Sequence, residues 1–314
     1  MDIRELRYFV HVARAGSFSR AASQLNIAQP ALSRQLKKLE DELGVQLLLR
    51  HGRGVKITEA GAILLSEAEH VIDRLAQTLD LLKGGRRTFV GQVTIGVPPT
   101  AGLLIVPRVF KWLQEHWPHA TLAVREGISS LLEEWLMDRR IDVAVLHNPT
   151  PLEGIDMAPV LRERMVLACA PDHPAASSRS IRFRDLANIP LILPSLPHSN
   201  RRLLERAAAR HHIRLNLAFE IDSIPLTKTM VRNGSGATIQ TFAGVAGEAE
   251  RGDLVVRPIE QPPLTSTIWI AMPHEAQASW LTLEVARLLR ACVTQLVTDK
   301  IWVGARLVEP ARPA

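Results

Sequence analysis

The stretch from Phe18 to Leu43, FSRAASQLNIAQPALSRQLKKLEDEL, constrains the fold more than any other part of the chain. Its apolar side chains recur at helical spacing, so that one face can be buried. These side chains are Ala21, Ala22, Leu25, Ile27, Leu32, Leu36 and Leu39. Asn26 tolerates the left-handed conformation that a tight turn requires, and Pro30 suits the first turn of a following helix. The pattern predicts a helix-turn-helix.

The second helix of this motif has a polar face. Gln29, Ser33, Arg34 and Lys37 fall opposite the leucines, as in helices that read the major groove of DNA. Residues 1–58 carry ten Lys and Arg against five Asp and Glu, a net charge of +5 out of +6 for all 314 residues. A phosphate-binding surface requires such a local excess, although a merely solvated basic face has the same charge. Motif and charge together favour DNA binding.

The next segment, LGVQLLLRHGRGVKITEAG, is typical of a β-hairpin followed by a helix. Strands are predicted at Leu47–Leu49 and Val55–Ile57, and glycines in the intervening HGRG sequence permit the turn. Arg50, Arg53 and Lys56 line this hairpin, a wing suited to phosphates or a minor groove. Thr58 is predicted to cap the following helix.

Residues 59–83 are predicted to form one long helix with an apolar seam. The seam comprises Ala60, Leu64, Ala68, Val71, Leu75, Leu79 and Leu82. A second copy of the helix would cover it, and a dimer would present two recognition helices to two DNA half-sites. The alternative is that the seam packs against its own domain. The glycines and arginines that follow predict a hinge over residues 84–91.

From Gly91 onward strands and helices alternate, which indicates an α/β fold with a parallel sheet. The predicted strands are Gln92–Val97, Thr121–Arg125, Ile141–Leu146, Met165–Ala170, Leu191–Leu193, Leu217–Glu220, Thr238–Gln240 and Thr267–Ala271. The predicted helices are Leu103–His116, Ser130–Arg140, a short one near Phe183–Leu186, Asn200–His212, Ile224–Asn233, Thr241–Glu250 and Ala276–Val297. We expect two lobes around a cleft: lobe 1 from residues 92–163 and 266–300, and lobe 2 from residues 164–265. Residues 301–314 are expected to be a mobile tail.

The N-terminal sequence from Tyr8, YFVHVARAGSFSRAASQLNIAQPALSRQLKKLEDELGVQLLLRHGRGVKITEAG, resembles the signature of LysR-type transcriptional regulators, and the segments GQVTIGVPPTAG and IDVAVL are similar in layout. PPTAG together with PSLPHSNR resembles the branch of the nitrogen assimilation control regulator. The resemblance implies a winged helix-turn-helix, a linker-helix dimer and a two-lobed effector domain like a periplasmic binding protein. It also implies homotetramers, assembled as a dimer of dimers on an interrupted palindrome near a promoter, and makes RNA polymerase a candidate partner.

The resemblance also assigns the DNA-contacting residues. Gln29, Pro30, Ser33 and Arg34 are expected to face the major groove, where Gln suits adenine and Arg suits guanine. Arg50 and Arg53 are expected at the backbone or minor groove, and Lys37 and Lys38 at phosphate or solvent. Ser17 completes the expected DNA-binding set.

Three predicted strand ends lead into helix starts, and ligands of open α/β sheets bind at such ends. The family places effector contacts there, so Thr100, Ser129 and Ser199 are the main candidates, with His198 and His147 as further ones. Hydroxyls and free backbone N–H groups favour a carboxylate or another small anion. The alternative is that these hydroxyls are plain helix N-caps.

Other classes of function find less support in the sequence. No G-x-S-x-G, P-loop or G-x-G-x-x-G motif indicates an enzyme, and no cofactor is expected. A solute-binding protein would not need residues 1–58, and an architectural DNA binder would not need a cleft. Cys169 and Cys292 form no metal pattern and lie outside residues 195–215, the stretch resembling the one that holds the peroxide-sensing relative's reactive cysteines, so we expect buried, inert thiols. The absence of a signal peptide and of long apolar runs predicts a soluble, cytoplasmic protein.

Overall fold

The structure is a computed structural model that describes residues 1–51, 54–82, 91–274 and 278–308. The protein divides into two compact units, Met1–Thr88 and Phe89–Ala314. No helix within the described ranges is long and apolar enough to cross a bilayer.

The first unit contains the predicted helix-turn-helix and wing. Its helices are α1 (Ile3–Ala15), α2 (Phe18–Gln24), α3 (Gln29–Leu43) and α4 (Glu59–Leu82), and the antiparallel hairpin consists of β1 (Leu48–His51) and β2 (Gly54–Ile57). The apolar faces of α1, α2 and α3 meet in one core, as the helical spacing of the leucines predicted. Buried members of this core include Phe9, Val12, Ala21, Leu32, Leu36 and Leu39.

Local sequence signals set the ends of these elements. Asp2 and Glu5 form a capping box at the start of α1. Asn26 has a φ of 54°, so it adopts the left-handed turn conformation that was predicted for it. The Thr58 hydroxyl accepts a hydrogen bond from the Gly61 backbone N–H at 2.9 Å and caps α4.

Lobe 1 of the second unit is a sheet covered by helices on both faces. Its elements are β3 (Gly91–Val97), α5 (Pro99–His116), β4 (Ala120–Glu126), α6 (Ser129–Met137), β5 (Val143–His147), β6 (Ile155–Cys169), β12 (Thr265–Pro273) and α10 (Trp280–Thr298). The strand order is β4-β3-β5-β12-β6. Helices α5 and α10 share one core with the sheet, and α6 packs in another.

Lobe 2 is built on the far half of β6. Its strands are β7 (Ile181–Arg182), β8 (Leu191–Leu193), β9 (Leu217–Glu220), β10 (Thr238–Thr241) and β11 (Val255–Glu260), and its α-helices are α7 (Ser199–Arg210), α8 (Ile224–Arg232) and α9 (Phe242–Glu250). The helices over Pro174–Ser177 and Phe183–Asn188 are 3₁₀. Strand β6 pairs with β12 up to Arg164 and with β10 from Met165 onward, so it runs through both lobes without a break.

Three expectations need correction. The sheet is mixed rather than parallel, because β12 returns antiparallel between β5 and β6. Helix α5 begins at Pro99 and not at Leu103, since Pro at the first helical position fixes a helical φ. The expected mobile tail does not hold for residues 301–308, because Trp302 is buried and β13 (Ala305–Leu307) pairs with β6.

Candidate DNA-binding surface and effector cleft

Helix α3 presents a polar face to solvent. Leu32, Leu36 and Leu39 are buried, whereas Gln29, Pro30, Arg34 and Lys37 are exposed and Ser33 is half-buried. A helix whose apolar face is held by the core can lay its opposite face in a DNA groove. The structure therefore brings the predicted α3 residues together on one surface.

For the other residues predicted to contact DNA, the structure gives only part of the surroundings of each side chain. Ser17 is the N-cap of α2, and its hydroxyl accepts from the Arg20 backbone N–H at 3.4 Å. Arg50 lies in β1, and Arg53 lies outside the described residues. Lys38 donates to the buried carboxylate of Glu5 at 2.9 Å, which lowers the pKa of Glu5. The Lys38 side chain is 66% exposed, so the expected contact with phosphate or solvent stays a prediction, and the ion pair with Glu5 is an additional contact.

A cleft in the second unit is lined by all five predicted effector residues. Thr100, Ser129 and His147 come from lobe 1, and His198 and Ser199 from lobe 2. Counting the open solvent at its mouth, the cleft contains about 690 Å³ free of protein atoms.

The three predicted hydroxyl residues, Thr100, Ser129 and Ser199, are not N-caps. The N-cap positions of α5, α6 and α7 are held by Pro98, Ile128 and His198. Thr100, Ser129 and Ser199 are therefore residues of the first helical turn. Pro98 and Ile128 form no side-chain capping bond, so the first backbone N–H groups of α5 and α6 are left without a capping side chain.

Helix α9 adds a further N-terminus to the same cleft. Its N-cap, Thr241, is buried, lines the cleft and forms no side-chain capping bond. A Cβ added at Gly244, one turn into α9, would lie 3.5 Å from Thr100 Oγ1 and 3.4 Å from Thr241 Oγ1. The two lobes thus approach each other closely at these hydroxyls.

Beneath the cleft lies a buried polar network. The His147 backbone N–H donates to Ser129 Oγ at 2.9 Å, and His147 Nδ1 lies 3.1 Å from Ser266 Oγ. Ser266 Oγ also donates to Asn200 Oδ1 at 3.1 Å and accepts from Asn148 Nδ2 at 2.9 Å. Because Asn200 belongs to α7 of lobe 2, this network ties the lobes together.

The network continues to a carboxyl group on β6. Glu163 Oε1 lies 3.6 Å from His147 Nδ1, and Trp302 Nε1 donates to Glu163 Oε2 at 2.9 Å. Burial raises the pKa of Glu163 to about 7, although the bonds from Trp302 and Thr241 oppose the rise. Burial, with a smaller effect of His198, lowers the pKa of His147 to about 4. The site therefore favours the neutral forms of both groups.

Charge at the cleft surface is sparse. The described residues that line it include no Lys or Arg, and Asp222 is the one Asp or Glu among them. Bonds from the Ser195 hydroxyl and backbone N–H lower the pKa of Asp222. Burial lowers the pKa of His198, although Asp222 opposes this. An anion bound here would contact helix N-termini and hydroxyls, and Arg202, which lies close enough to His198 to lower its pKa, adds a positive charge behind the lining.

Sequence reasoning missed Asp222, Thr241 and Glu163. Asp222 follows β9 and Thr241 ends β10, and both precede a helix. The signal that identified Thr100, Ser129 and Ser199 was therefore present at these two positions as well. Glu163 carried no such signal, because it lies within a strand.

Family models match both units of the chain. The model for the bacterial regulatory helix-turn-helix protein, lysR family, matches residues 3–62, and the LysR substrate binding domain matches residues 86–294. The protein belongs to the LysR family. It is a LysR-type transcriptional regulator with an effector-binding domain.

Individual relatives support this assignment. The chain is 30% identical over 276 residues to the transcriptional regulator BbuR of Bordetella bronchiseptica, covering 88% of this chain and 85% of the relative. It is 33% identical over 240 residues to the nitrogen assimilation regulatory protein nac of Klebsiella aerogenes, covering 76% and 78%. The expected likeness to the nitrogen assimilation control regulator is thereby confirmed. A full-length variant of OxyR from Pseudomonas aeruginosa superposes with a TM-score of 0.72 at 25% identity, covering 100% of this chain and 99% of that one.

The two cysteines of this LysR regulator are poorly suited to thiol chemistry. Cys169 and Cys292 are buried, and burial raises the pKa of both thiols. The thiolate is the reactive form of cysteine. Burial therefore disfavours reaction at either position.

Proposed function

We propose that this LysR regulator binds a small carboxylate, or a similar small anion, in the cleft and changes its DNA binding in response. The observation that carries the proposal is the convergence of the first turns of α5, α6 and α7, with their hydroxyls, on one cavity. Free N–H groups at helix N-termini bind anions. Thr100, Ser129, Ser199, His147 and His198 are the proposed effector contacts.

Binding can act on the lobes because both contribute to the site. An effector that binds one lobe arrangement more tightly shifts the population toward that arrangement. The Asn148–Ser266–Asn200 network joins the lobes beside the cleft. We propose that its hydrogen bonds rearrange when the lobes change their arrangement. The function is thus regulatory rather than catalytic.

On the DNA side, we propose that Gln29, Pro30, Ser33 and Arg34 read bases in the major groove. Lys37, Ser17, Arg50 and Arg53 are proposed to contact the sugar-phosphate backbone or the minor groove. The exposed polar face of α3 and the family match over residues 3–62 support this proposal. The proposed target is an interrupted palindrome bound by a dimer of dimers, with RNA polymerase as a further partner, in the cytoplasm where that DNA lies.

A thermal-shift screen of the purified protein against aliphatic and aromatic carboxylates tests the effector proposal. A ligand that binds only the native state raises the melting temperature. We expect a carboxylate whose shift is lost in Thr100→Ala and Ser199→Ala but kept in Ser178→Ala, a hydroxyl deletion at an exposed position outside the cleft. Shifts that survive in both cleft variants would contradict the proposed site.

A further inference from the structure

Part of the cleft lining is suited to negative charge. Ser199 is 3% exposed and lines the cavity, and no partner for its hydroxyl is found among the described residues. The Ser199 hydroxyl is not among the buried polar atoms that lack a partner, so it opens to the cavity, where a ligand atom would bond it in place of water. The uncapped first turns of α5 and α6 add a positive electrostatic potential on the lobe 1 side.

Asp222 gives the cleft a pole of the opposite sign. It lies between β9 and α8, on lobe 2, and is the single residue with a formal charge at neutral pH among the described residues that line the cleft. Its Oδ1 accepts two bonds from Ser195, at 2.8 Å from the backbone N–H and 2.7 Å from the hydroxyl. These bonds fix the carboxylate and leave Oδ2 for another donor.

The Asp222 side chain is exposed, and it forms no salt bridge in the described part of the chain. Burial and, to a smaller extent, Arg202 lower the pKa of the neighbouring His198, although Asp222 opposes this. His198 Nδ1 already accepts from the Asn200 backbone N–H at 3.3 Å. The negative pole is therefore available to a ligand.

We infer that the effector is zwitterionic, with a carboxylate at the helix N-termini and a cationic amino group at Asp222. This inference rests on the proposed function, because it names the ligand class of the same cleft. The lining also includes four isoleucines, Ile128, Ile221, Ile224 and Ile239, which suit a short hydrocarbon skeleton. Asp222 selects against dicarboxylates, whose second charge it repels.

Matched triplets of probes test the inference. Each triplet shares one carbon skeleton and differs in one end group, for example butanoate, 4-aminobutanoate and butanedioate, with further triplets covering two to six carbon atoms and α-amino acids. Dissociation constants are measured by calorimetry for the wild type, Asp222→Asn and Asp185→Asn. Asn keeps the Oδ1 acceptor for Ser195, removes the charge and replaces Oδ2 with an NH2 donor. Asp185 is an exposed carboxylate outside the cleft.

For the wild type, in at least one triplet, we expect the amino acid to bind most tightly and the dicarboxylate least tightly. The dissociation constants of successive members should differ by about fivefold, which is the contribution of a partly solvated ion pair. Asp222→Asn should reduce the preference to within about twofold, largely by tighter binding of the dicarboxylate. Asp185→Asn should keep the wild-type order. A wild type that prefers the dicarboxylate, or a preference unchanged in Asp222→Asn, would overturn the inference while leaving a carboxylate effector in place. Absence of binding by every probe would contradict the proposed function itself.

Discussion

At the scale of single residues, the position of each side chain around the axis of α3 separates the residues that pack in the core from those proposed to face DNA. Leu32, Leu36 and Leu39 hold the helix to its core, and Arg34 is exposed on the opposite side. Lys38 shows the limit of that argument, because it pairs with the buried Glu5. Position around the axis alone could not reveal this, since Glu5 is 33 residues away in the sequence.

The substitution Arg34→Ala tests base recognition. A bidentate contact of Arg with guanine contributes about 1–3 kcal/mol of discrimination. We expect weaker binding and relaxed specificity at one base position, measured by selection from a randomised DNA library. Lys37→Ala is the matched control, for which a uniform loss across sequences is expected. The same uniform loss for Arg34→Ala would make Arg34 a phosphate contact.

Glu163 should make stability depend on pH. Its pKa is raised from 4.5 to about 7 in the folded protein, so the folded state favours the protonated carboxyl. The stability that this provides is present below pH 4.5 and is lost as the pH rises through 7. Above pH 7 a buried carboxylate remains beside a neutral imidazole.

The substitution Glu163→Gln removes this penalty and keeps an oxygen acceptor for Trp302. We expect the melting temperature of Glu163→Gln, relative to wild type, to be higher at about pH 8 than at about pH 5. Glu126→Gln, at an exposed position at the end of β4, serves as the control and should give the same difference at both pH values. A Glu163→Gln difference that does not grow with pH would contradict the raised pKa.

At the scale of elements, most strands and helices followed from periodicity, but β6 did not. Its sequence, IDMAPVLRERMVLAC, holds a proline and three charged residues in its middle, so its first ten residues were not predicted as a strand. The ladder with β12 shifts register beside Pro159, and a bulge is one of the few places where a sheet accepts proline. Glu163 was missed for the same reason.

The wing depends on a close approach between backbones. Gly54 has a φ of 141°, and a Cβ at this position would lie 2.6 Å from the carbonyl oxygen of Gly16. The Val55 N–H donates to that same oxygen at 2.9 Å. The hairpin is thus held directly against the end of α1.

The substitution Gly54→Ala should displace the wing. We expect a stability loss of about 1–3 kcal/mol from the steric clash and weaker binding to all DNA sequences, measured by urea unfolding and fluorescence anisotropy. Gly44→Ala is the control, because Gly44 also has a positive φ, of 69°, but no atom within 4 Å of the added Cβ. Equal stability losses for Gly54→Ala and Gly44→Ala would show that the cost comes from the positive φ alone and would contradict the proposed clash with Gly16.

At the scale of the whole molecule, the seam of α4 divides into a packed part and an exposed part. Ala68 is buried, and Ala60 and Leu64 pack against the core of the first unit, as the alternative to a dimer seam predicted. Val71 and Leu75 are 47% and 36% exposed. The side chains of Leu79 and Leu82 lie outside the described residues. A dimer contact therefore remains the prediction for the later part of the helix.

The double substitution Val71→Glu and Leu75→Glu tests that contact. Each side chain occurs twice in a symmetric dimer, so loss of apolar burial should weaken association by at least about a hundredfold. We expect a shift from dimer or tetramer toward monomer in analytical ultracentrifugation. Glu67→Gln, at an exposed position of the same helix, should keep the wild-type mass. An unchanged mass in the double variant would place the dimer contact elsewhere.

The cleft could be predicted from sequence to the extent that its residues follow strands. Thr100, Ser129 and Ser199 were identified because each stands where a strand gives way to a helix. Their positions inside the first helical turn, and the opposing charge of Asp222, depend on how two lobes far apart in sequence meet. A local sequence pattern does not predict such contacts between the lobes.

We propose that a small anion in the cleft changes how this LysR regulator binds DNA. The most direct measurement is a DNase I footprint on a genomic fragment selected by the purified protein, with and without a carboxylate at a concentration that saturates its thermal shift. We predict a change in the length or pattern of protection, lost in Ser199→Ala. An identical footprint at saturation would contradict this proposal, because a ligand with equal affinity for both lobe arrangements does not change their populations.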